Sequence, residues 1–258
     1  MAIATRVLTI FSLIVALIAL GASDASATHS WSTYHWARTA NPFTLALGSN
    51  TTGDWTDHLA TTSTNWSKST VLDTTVVAGS TSGRKCRPSS GTVQVCNAAY
   101  GSNGWLGLAQ IWLSGGHIYQ GVAKMNDSYF NLAKYNNPNE KQHVMCQEVG
   151  HTFGLGHTSE DGSSQDTCMD YFSNTGANAG STLSTAPNQH DYDQLVTIYE
   201  HLDSTSTVKA VVAAPGASGF AGRDGDGTPA GASKAKGRWY IESLGAGRYL
   251  VTHITWAD

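Results

Sequence analysis

The chain has 258 residues, a formal net charge of −4, and only 13% of its residues are charged. This length allows one domain with a substantial buried core and an appendage. The negative balance argues against nucleic acid and anionic membranes as partners.

The first 27 residues resemble a targeting segment and not part of the fold. Arg6 precedes an apolar run over residues 7–20, and a small-x-small pattern ends at Ala27. This arrangement predicts a secretory signal peptide that is cleaved after Ala27. The alternative, a membrane anchor, is disfavoured because the run is short and lacks a basic stop-transfer flank. We therefore expect a secreted, extracellular protein with no membrane contact after cleavage.

The first half of the remaining chain predicts three strands and one helix. Alternating and β-branched residues indicate the strands, and aromatic and apolar residues at helical spacing indicate the helix. The strands are expected at residues 43–47, 71–77 and 92–95, and the helix at residues 54–68 with Asp54 as its N-cap.

The second half predicts a strand pair, two helices and a C-terminal hairpin. The strands cover residues 105–113 and 117–125 around a Gly-rich link, and a helix begins near Asn139 or Glu140 and stops at Gly154. Pro187 opens another helix, whose apolar stripe is Tyr192, Leu195, Val196, Tyr199 and Leu202.

The predicted domain organisation follows from these elements. The main domain spans residues 28–203, a Ser/Ala/Gly/Pro-rich linker spans residues 204–236, and a β-hairpin spans residues 237–258. The hairpin is too small to stand alone, so it should dock on the main domain.

The four cysteines are expected to pair in an oxidising compartment. Three pairings are possible. The short loop around Pro88 and Gly91 favours Cys86–Cys96, which leaves Cys146–Cys168. Free thiols or a zinc-thiolate site are the alternatives, but the sequence has no C-x-x-C pair.

Residues 147–157 carry the chemistry that a zinc peptidase needs. Two ligands four apart lie on one helix face, a Glu beside the first can reach a metal-activated water, and a Gly lets the chain turn a third ligand back. Glu148 is the candidate base, His151 and His157 are candidate ligands, and Gly154 makes the turn. The first ligand position holds Gln147.

This segment resembles the long zinc signature of the metzincins, H-E-x-x-H-x-x-G-x-x-H, with Gln for the first His. The sequence Cys168-Met169-Asp170-Tyr171 resembles the metzincin Met-turn, in which the methionine lies beneath the metal ligands. A Tyr two places after the Met is similar to astacins and serralysins, whereas matrixins usually have Pro there. The resemblance covers roughly residues 43–202.

The resemblance implies an α+β fold with a twisted, mostly parallel sheet, one antiparallel edge strand, an active-site helix and a C-terminal helix. It implies Zn²⁺ as the cofactor and Gln147, His151 and His157 as its ligands. Glu148 would move the proton, and Tyr171 would donate to the oxyanion or ligate the metal. Met169 would have a structural role.

Gln147 leaves three outcomes open, because a neutral amide oxygen is a poorer zinc donor than imidazole. Gln147 binds zinc weakly, another histidine such as His143 completes the site, or the site is inactive. The pairing Cys146–Cys168 would tie the active-site helix to the turn that carries Met169.

These observations predict a secreted zinc-dependent endopeptidase, a monomer that acts on an extended peptide or protein along the edge strand. The strand pair over residues 107–124 resembles the family's substrate-binding edge strand region, so the open edge is expected there. The alternative is a catalytically impaired domain that binds peptides without cutting them. A cysteine switch is not expected, since no cysteine lies between Thr28 and Phe43.

Overall fold

The computed structural model describes residues 29–209 and 227–258. The predicted signal peptide and residues 210–226 of the predicted linker lie outside the described residues. The described elements, in chain order, are β1 (His35–Trp36), β2 (Phe43–Asn50), α1 (Trp55–Trp66), β3 (Leu72–Ala78), β4 (Val93–Ala98), β5 (Trp105–Ser114), β6 (His117–Asn126), α2 (Asp127–Phe130), α3 (Pro138–His151), α4 (Gln189–Ile198), β7 (Trp239–Gly245) and β8 (Arg248–Trp256). Short 3₁₀ helices lie at Gly176–Asn178 and Lys234–Lys236.

The strands form one mixed sheet in the order β3-β2-β4-β6-β5-β8-β7, and the short β1 pairs with the start of β6. The strands from β3 to β6 are mutually parallel. Beyond β6 the direction alternates, because β5, β8 and β7 each run antiparallel to their neighbours. The fold is therefore α+β, with the sheet covered by a small number of helices.

The antiparallel strand predicted for the sheet edge is interior. β5 pairs with β6 on one side and with β8 on the other, and only Ser114 of its residues is exposed. The C-terminal hairpin supplies the two outermost strands. The expectation of an open edge at β5 was wrong because a distant segment of the same chain covers it.

Helix α3 begins at Pro138, one or two residues before the predicted start. Asn137 is its N-cap and accepts a hydrogen bond from the Glu140 amide, and proline suits the first turn because its missing N–H is not needed there. The helix ends at His151, three residues before Gly154. Gly154 has φ +96°, and a Cβ there would lie 2.3 Å from the Tyr34 carbonyl oxygen, so the sharp turn requires glycine.

Two details of the other helices differ from expectation. Asp54 occupies the N-cap position of α1 but makes no side-chain cap, because its carboxylate pairs with Lys141 Nζ at 2.8 Å. Helix α4 ends at Ile198, before two residues of the predicted stripe. Leu195 in the helix and Tyr199 at its C-cap are buried as predicted, whereas Val196 in the helix and Leu202 beyond it are exposed. The apolar stripe of α4 is therefore narrower than the sequence pattern suggested.

The described parts of the predicted linker pack on the domain. The Thr207 amide donates to the Ala37 carbonyl oxygen, and the Lys209 amide donates to Gly91. Among the described residues, no helix is long and apolar enough to cross a membrane.

Candidate metal centre

The C-terminal half of α3 carries Gln147, Glu148 and His151, all fully buried. Two glycines allow this helix to sit close to its neighbours. A Cβ on Gly107 of β5 would lie 2.5 Å from Glu148 Oε1, and a Cβ on Gly150 would lie 2.5 Å from the Met169 sulfur. Glycine at these positions lets the helix approach the sheet on one side and the segment that carries Met169 on the other.

His151 and His157 face each other across the turn at Gly154. Their Nε2 atoms are 3.2 Å apart. The Nδ1 atom of His151 lies 2.9 Å from the Leu155 carbonyl oxygen, and the Nδ1 atom of His157 lies 2.8 Å from Glu160. Because each Nδ1 faces an acceptor, each Nδ1 carries the proton and each Nε2 presents a lone pair.

A third histidine, His253 of β8, completes this cluster. One ring nitrogen from each of His151, His157 and His253 lies within 4.8 Å of the others. The Nδ1 atom of His253 lies 3.4 Å from Glu148 Oε2, and its Nε2 is buried without a hydrogen-bond partner. Three buried imidazoles with convergent nitrogens make a cluster that can hold a metal ion.

The three imidazoles are neutral. Burial lowers the pKa of His151 and of His253 well below the ordinary histidine value, and neighbouring histidines lower both further. Burial also lowers the pKa of His157, although Glu160 opposes that shift. Neutral imidazole is the form that binds a metal ion, so the site needs no deprotonation before a metal enters.

Two tryptophans enclose the cluster. Trp31 stacks on His151 with ring centroids 5.3 Å apart, and Trp239 of β7 lies 4.3 Å from the His253 ring. Trp31 and Trp239 also contact each other edge to face. This apolar shell excludes water and strengthens electrostatic interactions inside it.

The donor set fits zinc. Tetrahedral zinc with Zn–N bonds of about 2.0–2.1 Å places its ligand nitrogens about 3.3 Å apart. The observed 3.2 Å between His151 and His157 matches that spacing. The lone pairs of the His151 and His157 Nε2 atoms would repel one another without a cation between them. The buried Nε2 of His253 has no hydrogen-bond partner, which is also unfavourable unless a cation binds there.

Gln147 lies next to this cluster, but its amide is engaged elsewhere. Its Nε2 donates to the carbonyl oxygens of Cys168 at 3.1 Å and Asp170 at 2.6 Å. Its Oε1 accepts a hydrogen bond from Thr255 of β8 at 2.8 Å. Its role as a ligand stays a prediction.

Glu148 is held by the same threonine. Thr255 Oγ1 lies 2.5 Å from Glu148 Oε1, and burial raises the pKa of Glu148 to about 8 against the lowering effect of that hydrogen bond. A hydroxyl has one hydrogen, so Thr255 donates to only one of its two neighbours. A protonated Glu148 resolves this, because it donates to Thr255 while Thr255 donates to Gln147.

The residues of the predicted Met-turn lie against the cluster. Met169 is fully buried beneath α3 at Gly150. The ring centroid of Tyr171 lies 5.5 Å from that of His157, and the Tyr171 hydroxyl accepts a hydrogen bond from the Trp256 amide at 3.2 Å. The Arg238 guanidinium lies 3.4 Å from the Tyr171 ring centroid.

Both predicted disulfides are present. Cys86 pairs with Cys96, and Cys146 pairs with Cys168. The second bond joins α3 to the segment carrying Met169.

His143, the alternative ligand considered from the sequence, lies 3.3 Å from the Gln147 amide nitrogen but is not part of the three-histidine cluster. Its Nδ1 contacts Asn174 at 3.1 Å, and its Nε2 contacts the Asp170 carbonyl oxygen at 3.3 Å. Sequence reasoning missed His253, Thr255 and Trp239. The signal available for the first two was their i, i+2 spacing, which places them on one face of a strand.

A cavity of about 380 Å³ borders this region, with Tyr171, Thr255 and Arg238 in its wall. The three clustered histidines do not line it. The cavity therefore reaches Tyr171 but is not lined by the three-histidine cluster.

A scan against protein-family models and a search of curated proteins each find no match to this chain. Among solved structures, the chain is similar to high choriolytic enzyme 1, a hatching enzyme zinc-protease from Oryzias latipes (medaka fish). That alignment has 12% identity and a TM-score of 0.36, and it covers 67% of this chain and 98% of the other. This similarity is too distant to assign a fold or an activity, so both are inferred from the residues and contacts described above.

Proposed function

We propose that this protein is a secreted zinc-dependent endopeptidase. The observation that carries the proposal is the pair of buried imidazole rings of His151 and His157, with Nε2 atoms 3.2 Å apart beside the buried carboxyl of Glu148. Paired disulfides fit an oxidising, extracellular setting.

His151 and His157 would hold the zinc ion, with a third position supplied by Gln147 or by His253. When bound, zinc supplies a Lewis acid that polarises a carbonyl and acidifies water. Glu148 would accept the proton of the attacking water and pass it to the leaving amine. Tyr171 would donate a hydrogen bond to the oxygen that gains negative charge. The substrate would be an extended peptide or protein that pairs with β5 as an added strand.

The described state is closed, because β8 occupies the side of β5 where that peptide would pair. Turnover therefore requires the strand to move away. Proline lacks the N–H that pairs strands, so Val251→Pro, opposite Ile111 of β5, should weaken this contact.

The test is cleavage of a mixed peptide library by residues 28–258, with zinc and with a chelator. We expect chelator-sensitive cleavage that increases in Val251→Pro and is lost in Glu148→Ala. Cleavage that survives both the chelator and Glu148→Ala would contradict the proposal. So would the absence of cleavage by zinc-loaded protein, including the Val251→Pro variant.

A second candidate is a secreted peptide-binding module. The groove along β5 holds an extended strand of the same chain, with Thr255 hydrogen-bonded to Gln147 and close to Glu148. Such a groove can hold a peptide without cutting it. Peptides retained by Val251→Pro but left uncleaved would favour this candidate.

A further inference from the structure

We propose that His253 is the third protein ligand of the metal centre, in the role that the sequence motif gives to position 147. Metal binding then locks the C-terminal strand β8 into the cleft, which is the side of β5 where a peptide would pair. The metal site itself does not depend on the proposed peptidase activity. The statement that the locked strand blocks a substrate does rest on that proposed function.

Gln147 is poorly placed to ligate. Its amide nitrogen donates to two backbone carbonyl groups, and this fixes which way the amide is turned. The oxygen then faces Thr255 and accepts its hydroxyl hydrogen. A neutral amide oxygen is also a weaker zinc donor than an imidazole nitrogen.

His253 has the opposite properties. It is fully buried, and its Nε2 has no hydrogen-bond partner. Its ring centroid lies 4.0 Å from that of His151 and 4.7 Å from that of His157. Buried polar atoms are nearly always paired, so an unpartnered nitrogen of His253 next to the facing Nε2 atoms of His151 and His157 points to a bound cation.

The neighbours of the three histidines resemble the outer shell of a metal site. Each Nδ1 faces an oxygen, from the Leu155 carbonyl group, Glu160 or Glu148. Such contacts orient metal-binding imidazoles and fix their tautomers. Trp239 packs against all three rings and comes from the same hairpin as His253. The hairpin therefore supplies both the proposed ligand, His253, and the tryptophan that packs over the three histidines.

The position of His253 couples the metal to the cleft. His253 lies opposite Ala109 of β5, and Thr255 lies opposite Gly107. The histidine reaches the cluster only while β8 runs along β5. A peptide pairing with β5 would have to displace β8 and with it the third ligand. The closed form should therefore bind zinc more tightly than any form in which the cleft is open.

The first test compares zinc affinity across variants of the full mature chain, residues 28–258, by equilibrium dialysis with elemental analysis. His253→Ala should weaken zinc binding by at least about 100-fold, since even loss of an outer-shell partner costs about 10–100-fold. Gln147→Ala should weaken it much less than His253→Ala does, because the Gln147 amide oxygen does not ligate. His58→Ala, a histidine outside the three possible metal-binding clusters of the described residues, is the matched control.

His253→Phe guards against a folding artefact, because it keeps a ring of similar size but no donor atom. It should fold like the wild type and show the same loss of affinity. Cobalt absorption spectra provide an independent readout, since the visible bands of bound Co²⁺ should change in both His253 variants and stay unchanged in Gln147→Ala. Wild-type affinity in His253→Phe together with a large loss in Gln147→Ala would overturn the proposal.

The second test measures hydrogen exchange of β8 with and without zinc. Zinc should slow exchange of the β8 amides in the wild type but not in His253→Phe. Equal protection in both proteins would mean that metal binding does not hold the strand. Neither test measures peptide hydrolysis, so failure here is distinct from failure of the library assay, which tests the proposed function.

Discussion

The hydroxyl of Thr255 connects two residues that the sequence motif places side by side. It donates to Gln147 Oε1 and lies 2.5 Å from Glu148 Oε1. With a pKa raised by burial to about 8, Glu148 is protonated at neutral pH in the metal-free, closed form. A protonated carboxyl is not a base, so the closed form is unready for proton abstraction even before the cleft is considered.

The raised pKa of Glu148 predicts a pH-dependent stability difference. Its folded value of about 8 exceeds the ordinary value of 4.5, so the folded protein binds more protons than the unfolded chain between these pH values. Wild-type stability should therefore fall as pH rises through that window. Glu148→Gln should not show this loss. Its free energy of unfolding, relative to that of the wild type, should therefore increase with pH, by the order of a few kcal/mol at about pH 8.

Urea unfolding in chelator over a range from about pH 4 to about pH 9 measures this difference. The exposed Glu200→Gln is the control and should track the wild type at every pH. A Glu148→Gln curve parallel to that of the wild type would show that the carboxyl is not protonated in the folded state.

Gly107 lies where β5 packs against α3. A methyl group there would meet Glu148 and Val144 at 2.5–2.6 Å, and all three residues lie in a packed interface. Gly107→Ala should cost about 1–3 kcal/mol of unfolding free energy by overpacking. Gly180→Ala, where nothing lies within 4 Å, should be close to neutral. Equal effects of the two substitutions in thermal unfolding would contradict the close approach of α3 to β5.

At the scale of elements, α3 is fixed at both faces. The absence of a side chain at Gly107 lets α3 pack close to β5, and the disulfide Cys146–Cys168 joins α3 to the segment that carries Met169. The end of the helix that carries Gln147 and His151 is therefore positioned by packing and by a covalent bond.

Removing this disulfide should affect the metal as well as stability. The double substitution to Ala at Cys146 and Cys168 should cost about 3 kcal/mol from loop entropy and should also weaken zinc binding. The same change at Cys86 and Cys96 should cost similar stability and leave zinc affinity unchanged, because that bond lies away from the cluster. Chemical denaturation and zinc dialysis on both variants separate the two effects.

The sequence predicted local elements well and their partners less well. The spacing of His151 and His157 around Gly154 predicted a shared site, because helix geometry and one turn set it. The contribution of His253 was not predictable in that way, since it depends on which strand lies beside β5. The side chain of Asp54 was also missed as an ion-pair partner, because helix-start preferences do not reveal a lysine on another helix.

At the scale of the whole molecule, the hairpin of β7 and β8 converts an open sheet edge into an interior one. β5 is apolar and buried along nearly its whole length. Without the hairpin, its unpaired backbone groups would form an edge that invites pairing with another chain. The residues of the outer strand β7 are partly buried or exposed, and Ile241 on it is 64% exposed.

A chain that ends before the hairpin, residues 28–236, should therefore self-associate, whereas residues 28–258 should be monomeric. Light scattering after size-exclusion chromatography measures this. Ile241→Lys in the full chain is the control, because it changes only the exposed strand and should leave the protein monomeric. A shortened chain that stays monomeric would show that β5 does not self-associate when β8 is removed, which would contradict the prediction.

The place of His253 along the chain has a consequence for biosynthesis. His151 and His157 leave the ribosome long before β8, and the strand pair β5–β8 joins segments far apart in the sequence. Contacts between distant segments form late in folding, because a long loop must close first. The three-histidine cluster is thus assembled only after β8 has been made. This order delays completion of the cluster until β8, the strand that covers it, has been made.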